Sequence, residues 1–273
     1  MRDFGAMTAR RPLPLADLPE GRARAVRGIL TDIDDTLTDG GRLDPRAAHA
    51  LEALRDAQLP VIAITGRPQG WSEPFARDWP VAAIVAENGA VALFRTPRGI
   101  AVEYAQDAVT RAANAPRLRA AAARVLREVP GARLARDSAG RVTDIAIDHA
   151  EHAHLDRASI SKVVAILHAE GLHATVSSIH VNGWFGVHDK LTGARWIVRR
   201  LIGRDLDAEA GDWIYVGDST NDQRMFVHFE LSVGVANLLA FADELEVWPH
   251  YITAGERGAG FAEVARRVLE ARR

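Results

Sequence analysis

Four short apolar runs in this chain each stop at a small polar or acidic cluster. The first covers 26–31 and ends at Asp32-Ile33-Asp34-Asp35, and the second covers 61–64 and ends at Thr65-Gly66-Arg67-Pro68. The third, 81–86, ends at Glu87-Asn88-Gly89, and the fourth, 213–216, ends at Gly217-Asp218. Runs this short, bounded by turn residues and separated by helical periodicity, read as strands buried on both faces. Strands alternating with helices predict an α/β fold built on a Rossmann-like parallel sheet. The carboxyl ends of such strands open on one crevice, so the four clusters are expected to meet there.

The intervening segments carry their own signals. Asp44 reads as an N-cap and Pro45 as a first helical residue, with Ala47, Leu51 and Leu54 in phase on one face until Pro60 closes the segment. Residues 90–94 and 100–104 read as an antiparallel hairpin. From 106 to 185 the texture changes to an α+β insertion. An Ala- and Arg-rich helix over 107–129 is expected to break or restart at Pro116, and strands are expected over 132–136 and 142–147. A helix over 157–170 ends at Gly171, and strand-like residues run from 173 to 185. The α/β pattern resumes at Lys190 with a helix to about 201, a strand over 231–235 and a final helix over 260–271. The expected organisation is therefore a core of 25–105 and 186–273 interrupted by a second domain of 106–185, with 1–24 as a loose leader.

Net charge is −2, from 34 Lys and Arg against 36 Asp and Glu, which provides no general attraction for nucleic acid or an anionic membrane. No apolar stretch reaches eighteen residues, so no membrane span is expected. Cysteine is absent, which excludes disulfides, thiolate nucleophiles and Cys-based metal sites, and fits a reducing, cytoplasmic setting. Of the 34 basic residues only Lys162 and Lys190 are lysines, so a lysine in this chain is expected where a compact ammonium is wanted.

Three or four carboxylates gathered at one sheet edge repel one another unless a cation joins them. An oxygen-lined site with few neutral ligands suits Mg²⁺, which keeps several waters and shares its shell with phosphate oxygens. Lys190, the Thr65 hydroxyl and the backbone around Gly66 would offset and bind an anion. In an extended Asp-x-Asp segment the two side chains project to the same side. One carboxylate can then attack phosphorus, while the other protonates the leaving oxygen and later takes a proton from water. The ensemble reads as a phosphoryl-binding site for a small-molecule phosphate ester.

On these residues the chain resembles the haloacid dehalogenase (HAD) superfamily of phosphatases. Its four motifs are matched in order by Thr31-Asp32-Ile33-Asp34-Asp35-Thr36-Leu37, Ile64-Thr65-Gly66-Arg67, Lys190, and Val216-Gly217-Asp218-Ser219-Thr220-Asn221-Asp222. The insertion between the second and third motifs, preceded by Glu87-Asn88-Gly89-Ala90, is similar to the α/β (C2B-type) cap of the type IIB branch, which includes Cof-like and sugar-phosphate phosphatases. The resemblance implies Asp32 as nucleophile, Asp34 as acid/base, and Thr65 and Lys190 as phosphate clamps. It implies a Mg²⁺ held by Asp32, Asp218 and the Asp34 carbonyl, with Asn221 and Asp222 completing or orienting the shell. Asp35 departs from the Gly that many relatives carry there and reads as structural.

For the substrate, Gly66, Arg67 and Asn88 on the core and Ser178, His180 and Asn182 on the insertion are the candidates. Strand alternation would put Ser178, His180 and Asn182 on one face, which a solvated strand would show equally. His149, His152 and His154 read as a solvated helix start, and Trp71, Trp79, Trp184, Trp196 and Trp213 as packing residues. Thr65 is expected also to cap the helix that begins near Pro68. Phosphoryl transfer to an alcohol by the same motifs, or a non-catalytic phosphometabolite-binding regulator, are the rival readings. The small molecule itself and the oligomeric state are not written in these motifs.

Overall fold

The structure, a computed structural model, describes residues 11–273. Its main sheet has nine strands in the order Leu13–Pro14, Tyr251–Ile252, Leu231–Gly234, Trp213–Gly217, Gly28–Thr31, Val61–Ile64, Ala83–Ala86, Val91–Thr96 and Gly99–Tyr104. Pairing is parallel as far as Ala83–Ala86, and the last two strands form the antiparallel hairpin. The four central strands are buried throughout, as unbroken apolar runs require.

Successive residues alternate between two apolar layers. Ile29, Val61, Ile84 and Ile214 pack under the helices Pro45–Asp56 and Arg257–Glu270, while Leu30, Ile62, Val85 and Tyr215 pack against Lys190–Ile202. Asp44 caps Pro45–Asp56 as its sequence indicates, accepting the Arg46 amide at 2.7 Å. From Gly28–Thr31 the chain adds strands outward on one side, and its C-terminal half adds them on the other. Asp32 therefore sits at the point where strand order reverses, the position at which open α/β sheets bind ligands.

A second, antiparallel sheet takes the order His173–Val176, His180–Trp184, Asp144–Asp148 and Arg133–Leu134. One face carries Ile145, Ile147 and Val181 onto the helices Ala108–Glu128 and Arg157–Ala169. The alternate residues Asp144, Asp148, His180 and Asn182 are nevertheless buried, because that face is turned toward the crevice of the main sheet.

Several local expectations are corrected. Pro116 neither breaks nor restarts a helix; it lies inside the continuous Ala108–Glu128. Both Pro116 and Ala112, whose carbonyl loses its donor, are on the exposed side, where water replaces the bond. The strand-like stretch after 173 is two strands joined by a turn, so Ser178 is at a turn tip and does not share a strand face with His180 and Asn182. The 149–154 segment is a loop rather than a helix start, and His149 is buried with its Nε2 2.9 Å from the Ser177 carbonyl. Residues 1–10 of the expected leader lie outside the described residues, whereas Leu13–Pro14 pairs with Tyr251–Ile252 and Leu15 and Leu18 are core.

Candidate active site

Asp32 continues its strand by one residue, its amide donating to the Val216 carbonyl at 2.9 Å, so its carboxylate emerges at the carboxyl edge. At Asp35, with φ 55°, the chain turns away; the Asp35 carboxylate is held by Arg257 at 3.2 Å, with the Ser178 hydroxyl beside it. Lys190 is the first residue of its helix, whose start is fixed by Asp189 as N-cap in a capping box. The Glu87-Asn88-Gly89 turn packs directly under that start. A Cβ on Gly89, itself at φ +107°, would fall 2.0 Å from the Asp189 carbonyl oxygen, and one on Gly193 would fall 2.6 Å from the Gly89 Cα. Only glycine permits this approach, and the approach aims Lys190 inward.

The Lys190 ammonium lies 2.6 Å from Asp32 Oδ1, 2.7 Å from Asp222 Oδ1 and 3.3 Å from Asn221 Oδ1. A cation at a helix N-terminus is disfavoured by the macrodipole, and this one is also buried. Burial acts to lower its pKa, yet Asp222 and Asp32 more than offset that and hold it above the usual lysine value. Asp32 is pushed up to about 8, first by burial and then by Asp222 and Asp34, with Lys190 opposing. Asp218 is raised well above the carboxylate range by burial and by repulsion from Asp32, Asp222 and Asp35.

Asp222 has no acceptor capacity left. Its Oδ1 takes Lys190 and the Tyr215 hydroxyl, and its Oδ2 takes the amides of Asp218 and Ser219 at 2.9 and 3.2 Å. It therefore orients the cluster. Asn221 Oδ1 accepts from Ser219 Oγ as well as from Lys190. Asp218 is different: its Oδ2 meets Asn237 Nδ2 at 3.3 Å, but its Oδ1 is buried with no hydrogen-bond partner.

No group of three or more His, Cys, Asp or Glu side chains gathers as a ready metal cage among the described residues. A hard cation that takes few protein ligands and keeps water does not need one. The orphaned Asp218 Oδ1 and the repulsion of Asp32 by Asp34 and of Asp218 by Asp32 fit such a cation, which would remove both costs.

Thr65 Oγ1 accepts the Arg67 amide at 2.9 Å and lies 3.4 Å from Asp34 Oδ2. It does not cap the Gln69–Asp78 helix as expected; Glu87 does, taking the Gln69 amide at 3.0 Å. Buried Glu87 also accepts the Val142 and Thr143 amides, which fastens the insertion to the core. The Gly66 carbonyl receives Arg141 Nη1 at 2.9 Å and Asn182 Nδ2 at 3.3 Å, both from the insertion. Asn182 and Asn88 donate to Asp144 at 3.2 and 3.4 Å. Burial raises the Asp144 pKa to about 7, with Arg141 opposing.

Arg67 is enclosed by carboxylates. Its Nε bonds both oxygens of Asp34 at 2.9 and 3.2 Å, its Nη2 bonds Glu151 at 2.7 Å, and its Nη1 lies 3.3 Å from Asp137. His180 Nε2 meets the other Glu151 oxygen at 3.0 Å. Glu151 is held down at about 2, chiefly by the His180 bond and then by Arg67, against the effect of burial. Beside Lys190 and Asn88 a cavity of about 160 Å³ is walled by Trp184 and His188, whose rings lie 5.7 Å apart.

Every candidate site residue read from the sequence thus falls in one connected region, most of them in two lobes. Asp32, Lys190, Asp218, Asn221 and Asp222 form one; Asp34, Thr65, Gly66, Arg67, Asn88, His180 and Asn182 form the other, and Ser178 touches the region through Asp35. Sequence reasoning missed Glu151, Asp137, Arg141, Asp144 and Asn237. Alternation of Asp144 with Ile145 could have marked an inward polar face; the loop-borne Glu151 and Asp137 carry no periodic signal.

Residues 29–110, which hold the first two of the four motifs, match the family model described as haloacid dehalogenase-like hydrolase, so the likeness read there holds. A comparison with curated proteins gives no match. Solved structures share the fold over most of the chain. Thermoplasma acidophilum 0175 superposes with a TM-score of 0.67 at 15% identity, covering 89% of this chain and 98% of that one. The sucrose-phosphatase of Synechocystis sp. PCC6803, solved with sucrose and phosphate, gives 0.63 at 16% identity over 89% and 98%. The C-terminal domain of trehalose-6-phosphate phosphatase from C. albicans gives 0.64 at 13% identity over 96% and 99%.

Proposed function

We propose that this protein is a Mg²⁺-dependent phosphomonoester hydrolase acting on a small sugar phosphate, with 106–185 serving as a cap over the core. A cytoplasmic setting goes with this reading and with a chain free of cysteine. The observation that carries it is the buried Lys190–Asp32 contact of 2.6 Å beside the orphaned Asp218 oxygen. That pairing gives a nucleophile, a fixed cation for the phosphoryl oxygens and vacant acceptor capacity for a second cation.

Asp32, Asp218 and the Asp34 carbonyl would hold the metal, which supplies charge neutralisation on the phosphoryl oxygens and on the crowded carboxylates. Asp32 Oδ attacks phosphorus and forms an aspartyl-phosphate as the ester oxygen departs. Asp34 gives that oxygen a proton and later removes one from the water that hydrolyses the intermediate. Lys190 and Thr65 stabilise charge on the transferring group from fixed positions, the dominant contribution in phosphoryl transfer. The insertion's buried polar face and the cavity walled by Trp184 and His188 support a hydroxylated leaving group. So does the likeness to sucrose- and trehalose-6-phosphate phosphatases.

The test is a panel of phosphorylated metabolites assayed with Mg²⁺ and with EDTA, alongside Asp32→Asn. Turnover with Mg²⁺ only, lost in Asp32→Asn with unfolding behaviour unchanged, is the expected result. Full activity in that variant removes Asp32 from the reaction.

A further inference from the structure

We infer that Glu151 is a positioning residue: through Arg67 it aims the Asp34 carboxyl at the leaving oxygen, so that docking of the insertion completes the acid. This rests on the function proposed above, in which Asp34 is the proton donor.

The geometry runs in one line from the insertion to the core. Asp34 is held by Arg67 Nε, which reaches both its oxygens; its other side-chain contact, the Thr65 hydroxyl, is long at 3.4 Å. Arg67 is too long a side chain to hold that pose alone, since each of its rotatable bonds is free to move without partners. Two partners fix its far end, Glu151 at 2.7 Å and Asp137 at 3.3 Å, and the Trp71 ring lies 5.1 Å from its guanidinium carbon. Glu151 is in turn fixed by His180 at 3.0 Å, and its own amide donates to Asp148 at 2.9 Å, at the end of the Asp144–Asp148 strand. Both carboxylates that hold the far end of Arg67 belong to the insertion, so lifting that segment removes them together. The guanidinium then keeps its Asp34 bonds and the Trp71 ring but no partner for its Nη atoms, and the carboxyl loses its fixed direction.

Leaving groups differ in how much they need the acid. An alkoxide must be protonated as it leaves, whereas p-nitrophenolate departs without a proton. The experiment compares Glu151→Gln and Arg67→Lys with the unaltered protein on two substrates: p-nitrophenyl phosphate and the best sugar phosphate of the panel. Both variants should lower the single-turnover rate of leaving-group release, which precedes the hydrolysis step shared by the two esters, about tenfold more for the sugar phosphate than for the aryl ester, a fraction of the full worth of a general acid. KM for the sugar phosphate should change less than this rate, and Glu151→Asp should recover part of the loss. Equal slowing of leaving-group release from the two esters by Glu151→Gln, or a change confined to KM, assigns Glu151 to structure or to substrate binding and overturns the inference. If the unaltered protein hydrolyses neither ester, the proposed function itself fails, and this inference falls with it.

Discussion

Lys190 Nζ contacts Asp32 Oδ1 at 2.6 Å across 158 positions of sequence, and it is the cation that Asp32 and Asp222 share. A buried charge with a partner removed costs far more than the pair contributes.

Lys190→Met keeps the side chain's bulk and strips the ammonium from Asp32 and Asp222. Unfolding in EDTA should show a loss of about 3 kcal/mol, the range for an uncompensated buried ion. Added Mg²⁺ should recover part of that loss, because it neutralises the same carboxylates. Turnover should fall by about two to three orders of magnitude, as when a preorganised electrostatic group is deleted. Equal thermal midpoints for variant and parent in EDTA would show that the ammonium does not balance the cluster.

Asp218→Asn should move stability the other way. Asp218 is destabilised as a carboxylate by burial and by Asp32, Asp222 and Asp35, and one of its oxygens has no hydrogen-bond partner. Neutralising it should stabilise the metal-free protein by about 1 kcal/mol, while activity and the Mg²⁺-induced rise in thermal midpoint are lost. A midpoint that still climbs with Mg²⁺ in this variant would place the ion elsewhere.

His188 gives a pH signature that can be isolated. Burial holds its pKa at about 4 against an ordinary 6.5, with Asp189 opposing and His173 reinforcing the shift. Between those values the unfolded chain takes up a proton that the folded chain refuses, so stability falls as pH drops through the window and levels off below it. The loss is at most about 3 kcal/mol from this residue. His188→Phe should flatten the difference in unfolding free energy between pH 7 and pH 4 relative to the parent. Parallel pH curves for the two proteins would show that His188 does not titrate in this range.

Much of the site was legible because its signals are local. The Asp32–Asp35 cluster, Thr65-Gly66-Arg67, Glu87-Asn88-Gly89 and Gly217-Asp218 each end a short apolar run, and burial on both faces, as at Ile29/Leu30 and Ile214/Tyr215, follows from the run itself. Asp44 and Pro45 marked a helix start for the same reason. The helix opening at Lys190 was legible too, and in the structure Asp189 is its N-cap.

What packing decided lies in pairs far apart in the chain. Glu151 and Arg67 are separated by 84 positions and Arg141 and Gly66 by 75, and nothing in the residues around them sets those distances. Pro116 is tolerated in a helix because that side of the helix meets water, and Glu87 rather than Thr65 caps Gln69–Asp78 because the third strand's end lies beside it. Chain periodicity and strand-end chemistry are properties of neighbouring residues, so the sequence by itself determined the sheet, its edge and the carboxylates gathered there. Which cation faces which carboxylate, and how the insertion's acids reach the core, depend on the docking of one sheet against another, which exists only once the chain has folded.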